Sequence, residues 1–558
     1  MDRSDFVIIG GVACGPKTGA TLARRLPGAS ITLFQKDERL SYAACGLPYF
    51  ASGDIGTVNE LESTSYGQKR DAVFFDKTKG FKVVTSAEVI AINRSGRTVT
   101  VRESVTDRLY EHGYGKLVIA TGATLVKPPF PVADAPRIRS FTRPDDAVAF
   151  RSMAEQGKIE KTVIIGGGFI GCELAEAAGG LWGIDVTLIE REPHVLPYAL
   201  DPEMAAIVER ELRLHGIHVR TETTVQEIKL RDDGRPVVTL DNGEESSADF
   251  LFVCVGVRPN VSFAEACGLK IGPTGGIVVD QRMQTSDPDI YAGGDCVESV
   301  HQLTGQPIYL PMGSLANRHG RVIAENLAGN PAEFAGVLGA FLVKVFDMNV
   351  GAVGLSEHAA ARAGLQTNSL WGSFPDKPDY YPEGKPFVLK MVYSPQDKRL
   401  LGLQAVGAGE ICRRLDVFSS FLQRKATVDD LLDFEHGYAP PYAEALDPLH
   451  HLAAMAQAQM RGVIFLSPGT DLSTQGADIL LVDVREPSEH EEEPLGRDLA
   501  AINIPLNELR ERLNELDPSK RTIVTCKRGP RSYQAASVLQ AAGFRRIEIL
   551  SGGLQSLL

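Results

Sequence analysis

Hydrophobic and polar positions fall into two matching blocks along this chain. Residues 6–35 and 162–190 each open on a β-branched apolar run, Phe6-Val7-Ile8-Ile9 in one and Val163-Ile164-Ile165 in the other. Each passes through a glycine-rich turn and a helix of small residues, then closes on a second apolar run ending in one polar side chain. A βαβ unit of about 30 residues is the size of a dinucleotide-binding half-domain, so two of them predict two nucleotides. Residues 116–122 and 249–256 read as further strands, each ending in a glycine turn and returning to a shared sheet. From about residue 335 the texture changes to short alternating strands (340–346, 387–393 and 400–406) and then helices, which predicts an α+β unit. Past Met460 the pattern restarts with 479–484, 522–526 and a helix from about Ser532, a compact α/β unit of about 100 residues.

Composition narrows this picture. At about 150 residues per domain, 558 residues predict three or four domains. Hydrophobic residues at 43% and charged residues at 23% suit a soluble globular chain, and no apolar run approaches the ~20 residues of a membrane span. Residues 1–5 lead straight into a strand, with no basic start or cleavage pattern, which points to the cytoplasm. A net charge of -13 argues against nucleic acid as a partner. The eight cysteines include no C-x-x-C pair, so neither a metal site nor a disulfide framework is expected.

In the second block Gly166, Gly168 and Gly171 fit G-x-G-x-x-G between strand and helix. The first glycine turns the chain, the second admits the pyrophosphate and the third lets helix and strand pack. Glu190 closes the following strand, where a carboxylate accepts from a ribose 2′-hydroxyl and repels a 2′-phosphate, favouring NADH over NADPH. Arg191 beside it works the other way. The first block keeps Gly10, Gly11 and Gly15 but has Val12 at the second glycine position, and its closing residue is the neutral Gln35.

These turns resemble those of the pyridine nucleotide-disulfide oxidoreductases over residues 5–450, together with Ala120-Thr121-Gly122, Gly256-Val257-Arg258-Pro259 and the segment 285–295 ending in Asp295. The resemblance implies FAD on the first unit, with the acid at Asp295 on the ribityl chain, and NAD(P)H on the second. Ser41-Tyr42-Ala43-Ala44-Cys45-Gly46-Leu47-Pro48-Tyr49 is similar to the redox segment of coenzyme A-disulfide reductases and NADH-dependent persulfide reductases. Two-cysteine relatives use C-x-x-x-x-C. Here the second position is Phe50, so Cys45 must bond to sulfur or oxygen from outside. The segment 433–442 resembles the stretch in which a tyrosine of the partner subunit reaches the substrate, which implies that role for Tyr438. Tyr381, in Tyr380-Tyr381-Pro382, is the second tyrosine carried over, whereas His436 carries no role.

Leu481-Val482-Asp483-Val484-Arg485, residues 501–505 and Cys526-Lys527-Arg528-Gly529-Pro530-Arg531-Ser532 are similar to a rhodanese domain. Cys526 would carry sulfur in an anion nest aided by Arg528 and Arg531. The resemblance as a whole implies an α/β protein with two Rossmann-like nucleotide-binding domains, an α+β dimerisation domain and a C-terminal α/β rhodanese domain. The expected bounds are 1–120 with 250–330 for FAD, 121–249 for NAD(H), 331–455 for dimerisation and 465–558 for rhodanese. The implied activity is NADH-driven reduction of persulfide, polysulfide or coenzyme A disulfide by a homodimer, through a Cys45 thiolate lowered in pKa by nearby positive charge or dipoles. Lys69 and Arg70 are candidates for coenzyme A phosphates. The alternatives are an NADH oxidase or peroxidase cycling Cys45 through sulfenic acid, and a sulfur-relay or redox-sensing protein.

Overall fold

A computed structural model describes residues 1–466, 479–495 and 501–556. The rhodanese-like segment 495–500, which departs from the usual pattern before the strand at Ala501, lies outside the described residues from 496 onward. Two compact units are present, one of residues 1–191 and 216–337, the other of residues 192–215 and 338–558.

In the first unit both βαβ blocks form as expected. Strand Asp2–Ile9 leads into helix Cys14–Arg25 and strand Ile31–Phe34, while strand Lys161–Ile165 leads into helix Phe169–Gly179 and strand Asp185–Ile189. The first sheet runs Lys82–Val84, Ile31–Phe34, Asp2–Ile9, Leu109–Ile119, Thr98–Glu103, Ala87–Asn93. Leu109–Ile119 pairs with Asp2–Ile9 along one edge and is long enough to serve two further partners along the other. Its first half pairs antiparallel with Thr98–Glu103, and its last three residues pair parallel with Ile290–Ala292. That second pairing delivers Asp295 to the same sheet end as the glycine turn. Five parallel strands build the second sheet, in the order His218–Arg220, Asp185–Ile189, Lys161–Ile165, Phe250–Val253, Ile138–Arg139. All four residues of Phe250–Val253 are buried, the uniform apolar run of a strand covered on both faces.

The second unit holds an antiparallel sheet and a parallel one. The antiparallel sheet runs Phe341–Val345, Met348–Gly354, Leu400–Gly407, Pro386–Tyr393, Asn368–Pro375. Three of these strands were expected from the pattern. Asn368–Pro375 and Met348–Gly354 were not, because glycine and polar residues interrupt their alternation. Helix Pro202–Leu214 belongs to this unit. At its N-cap, Asp201 meets the fully buried Lys390 ammonium at 2.7 Å and accepts from Gln404 Nε2 at 2.6 Å. Lys390 also meets Glu357 at 2.6 Å and lies over the Trp371 ring. A buried cation is tolerable only with such partners. The parallel sheet runs Ile464–Leu466, Ile547–Leu550, Arg521–Thr525, Ile479–Asp483, Ala501–Asn503, with helix Pro530–Ala541 against it.

Among the described residues no helix is long and apolar enough to cross a membrane.

Candidate active site

The two glycine turns are built to one plan. Gly10 and Gly166 sit at φ +106° and +107°, where a Cβ would lie 2.1 Å from Ala120 O and 2.4 Å from Cys254 O. A Cβ on Gly15 or Gly171 would lie 1.9 Å from the carbonyl of the turn's first glycine. Only glycine closes these turns. Each turn is then tied down by the residue that ends the second strand. Gln35 Oε1 accepts from Gly11 N at 2.9 Å, and Glu190 Oε2 accepts from Gly167 N at 2.6 Å. Gly168 faces open space where a pyrophosphate would approach, and Val12 holds the equivalent place in the first turn.

The first turn fits FAD. Ala120 caps Gly10, Gly122 turns at φ +67°, and Thr121 donates to Asn260 O at 2.8 Å. Asp295 is lifted to about 6 by burial with no counter-cation, the state of a carboxyl waiting for a hydroxyl donor. Nearby, His319 Nδ1 accepts from Gly294 N at 3.2 Å. His319 Nε2 and the Tyr309 hydroxyl are buried with no partner among the described residues. Burial also drives His319 down to about 4, leaving it neutral.

Cys45 occupies a short helical turn, Ala44–Gly46, and is an exposed free thiol. All eight cysteines are free. At the position of a second redox cysteine, Phe50 is buried, with the Arg151 guanidinium 4.6 Å from its ring centroid and donating to Phe50 O at 3.0 Å. Trp182 Nε1 clamps the same helix by donating to Ala51 O at 2.7 Å. Burial, then the carboxylates of Glu173 and Asp295, push the Cys45 thiol up, against the lowering expected from positive charge or dipoles. A helix dipole opposes this shift. A Cβ on Gly313, the first residue of helix Gly313–Leu327, would lie 3.8 Å from Cys45 Sγ, so this helix turns its positive end toward the sulfur. Glu173 escaped the sequence reading. Burial, then Glu176, raises its carboxyl to about 7.

In the second unit the Tyr438 hydroxyl lies 3.4 Å from that of Tyr380, and both residues are exposed. Tyr381 lies beneath Lys377 Nζ, 5.5 Å from its ring centroid. His436 bonds to Glu444 O at 3.1 Å, a structural role. In the first unit, Arg70 donates to Leu61 O at 2.7 Å and Lys69 pairs with Glu62 at 3.2 Å, so neither cation stands unengaged.

In the loop 526–532 one backbone amide meets the cysteine sulfur. Gly529, at φ +120°, donates its N–H to Cys526 Sγ at 3.0 Å. The carbonyls of Cys526 and Lys527 are turned away, accepting from Leu554 N at 2.8 Å and Gln555 N at 3.0 Å. Arg531 forms a two-point pair with Glu489 at 2.5 and 2.8 Å while its charge still acts on Cys526, and Arg528 meets Asp379 at 2.8 Å. Glu211, His215 and Asp347 also bring ligand-type atoms within 4.8 Å of one another. Glu211 is used by Asp347 N, and His215 stacks on Phe346, which accounts for their meeting.

Comparison with known proteins agrees with this geometry. Residues 4–309 match the pyridine nucleotide-disulphide oxidoreductase model, residues 341–450 its dimerisation domain, and residues 471–558 a rhodanese-like domain. The chain is 36% identical over 453 residues to an NAD(P)H sulfur oxidoreductase (CoA-dependent) of Pyrococcus furiosus, covering 81% of this chain and 99% of that protein. It is similar to the solved NAD-dependent persulfide reductase from A. fulgidus, with a TM-score of 0.94, 40% identity and coverage of 99% and 100%. It is also similar to reduced Bacillus anthracis CoADR-RHD, with a TM-score of 0.90, 31% identity and coverage of 100% and 98%. Two duplicated glycine turns, a lone cysteine facing a helix start and a second cysteine in an N–H nest thus carry the assignment: the chain belongs to the pyridine nucleotide-disulphide oxidoreductases and bears a rhodanese-like domain over residues 471–558.

Proposed function

We propose that this protein reduces sulfur–sulfur bonds of persulfides, polysulfides or coenzyme A disulfide at Cys45, with NADH as reductant, and that Cys526 carries sulfane sulfur for the same chemistry. The single observation behind this reading is an exposed free thiol whose potential disulfide partner is a buried phenylalanine. Such a sulfur cannot close a disulfide with that neighbour and must react with a sulfur or oxygen species from outside, here taken to be sulfur. FAD, when bound, would supply the electron pair, taken from NADH, that returns Cys45–S–SH to its thiol, the outer sulfur leaving as sulfide. The first glycine turn, Thr121 and Asp295 would hold that cofactor, while Gly166, Gly168, Gly171 and Glu190 would hold the nicotinamide nucleotide. We assign FAD to residues 1–120 and 250–330, NAD(H) to 121–249, dimer contacts to 331–455 and sulfur carriage to 465–558.

Cys45 attacks the outer sulfur of R–S–SH, forming Cys45–S–SH and releasing RS⁻. The helix start at Gly313 steadies negative charge on Cys45, and Glu173, titrating near neutrality, gives or takes the accompanying proton. Tyr438, paired with Tyr380, protonates the departing thiolate in the site of a second copy of the chain. A homodimer is therefore part of the proposal.

The test is anaerobic NADH oxidation with polysulfide or coenzyme A persulfide, comparing the native protein with Cys45→Ser and measuring sulfide. One sulfide per NADH, lost in the variant, supports the reading. NADH consumption only when oxygen or peroxide is admitted replaces it with an oxidase or peroxidase, and negligible turnover with every acceptor favours a sensor or relay.

A further inference from the structure

The cationic side chains around Cys526 are already matched by carboxylates of this chain. Arg531 is held by both oxygens of Glu489, which is driven down to about 2 by that pairing. Arg528 is held by both oxygens of Asp379, at 2.8 and 3.0 Å, across 149 positions of sequence. Two guanidinium charges therefore meet two carboxylate charges, and Lys527 is the one remaining loop cation. The Gly529 N–H still meets Cys526 Sγ at 3.0 Å. With both guanidinium groups engaged, the loop keeps little positive charge for a dianion.

Resting on the sulfur-carrier reading above, we propose that Asp379 is a specificity-determining residue of the rhodanese loop. By occupying Arg528 it sets the loop to take sulfur from organic persulfides, whose reacting sulfur group carries at most one negative charge, in preference to thiosulfate. With an organic persulfide, the Cys526 thiolate attacks the outer sulfur of R–S–SH. The S–S bond breaks, Cys526–S–SH forms, and RS⁻ leaves with the electron pair of the broken bond. With thiosulfate the same attack expels sulfite as a dianion, and both the donor and its leaving group require cations. Arg528 can serve them only by abandoning Asp379, whose side chain is 70% exposed and whose hold on Arg528, 30% exposed, is that of a surface ion pair. The preference is accordingly modest and removable. Asp379 directly precedes Tyr380, whose hydroxyl meets that of Tyr438, so the residue that sets the loop's charge also adjoins the tyrosines assigned to the reductase.

The experiment uses the full-length, FAD-loaded protein without NADH. Thiocyanate formation from cyanide is measured with glutathione persulfide and with thiosulfate, and sulfur on Cys526 is read by mass spectrometry. In the native protein kcat/KM is higher for the persulfide. Asp379→Asn raises the thiosulfate-to-persulfide ratio about three- to five-fold, the range of an exposed ion pair, through a lower KM for thiosulfate. Asp379→Glu keeps the native ratio, and adding Arg528→Ala to Asp379→Asn reverses the gain. Equal use of both donors by the native protein, or a ratio that Asp379→Asn leaves unchanged, overturns the selectivity and leaves the carrier reading standing. Absence of sulfur on Cys526 from either donor overturns both. NADH-dependent sulfide release at Cys45, measured separately, tells that failure from loss of the reductase.

Discussion

Replacing Glu190 by glutamine separates two duties that one carboxylate performs. Glu190 is 8% exposed, and its Oε2 accepts from Gly167 N at 2.6 Å, a short charge-assisted bond. Glutamine keeps an acceptor of the same reach, so the turn stays pinned at a cost of about 1 kcal/mol that both nucleotides share. The charge is what differs between NADH and NADPH. A carboxylate ~5 Å from one phosphate charge, at an effective dielectric of about 20, repels it by roughly 3 kcal/mol. Arg191 next in sequence and mobile ions reduce this, leaving about 1.4–2.8 kcal/mol, or ten- to one hundred-fold in the NADH-to-NADPH ratio of kcat/KM. Anaerobic steady-state rates with one sulfur acceptor and both nucleotides give that ratio. Glu190→Gln should lower it by this factor mainly through KM for NADPH. A fall in both kcat/KM values with the ratio unchanged within two-fold would refute the argument, reducing Glu190 to a fastener of the turn.

Two further outcomes follow from buried charges. Lys390→Met strands Asp201 without its cation and should cost about 3–5 kcal/mol, lowering the melting temperature by roughly 6–20 °C. Burial alone would raise Asp201, but Lys390 outweighs it and the carboxyl ends below its usual value. The native advantage is thus full above the ordinary carboxylate range and shrinks as pH falls through the lowered Asp201 value, and a melting difference that persists at the acid end would contradict this. Glu173→Gln should move the alkylation profile of Cys45 to lower pH, because above about 7 the Glu173 carboxylate opposes the thiolate. Its raised value means the folded chain binds the extra proton between the ordinary carboxylate range and about 7, so Glu173 erodes stability as pH rises through that window and glutamine relieves it. Identical alkylation profiles would exclude the coupling.

Local chemistry was readable before any coordinates. Gly10, Gly166, Gly15 and Gly171 announce their turns because a Cβ at each would overlap backbone, a constraint contained within a few neighbouring elements. Cys45 and Cys526 were singled out by resemblance, each from a short segment similar to a known family's redox or sulfur loop. What the pattern could not convey were meetings between distant segments. The approach of Gly313 to Cys45, the meeting of Tyr380 with Tyr438 and the pairing of Arg528 with Asp379 depend on packing between elements far apart in sequence. The carboxylates that oppose a Cys45 thiolate, Glu173 and Asp295, likewise come from 128 and 250 positions away. Strand Asn368–Pro375 was missed because its register comes from Pro386–Tyr393 rather than from its own alternation.

The sulfur nest is also suspended from outside itself. Gly553, at φ +64°, lets the chain pass close beneath the loop, and a Cβ there would stand 2.4 Å from Cys526 O. Leu554 and Gln555 then hold two loop carbonyls outward, so that the amides turn in. The last described turn of the chain therefore behaves as the keel of the Cys526 loop. Small strains applied there, by a side chain at Gly553 or a fusion just beyond Gln555, will be felt as a change in sulfur affinity some 28 residues upstream.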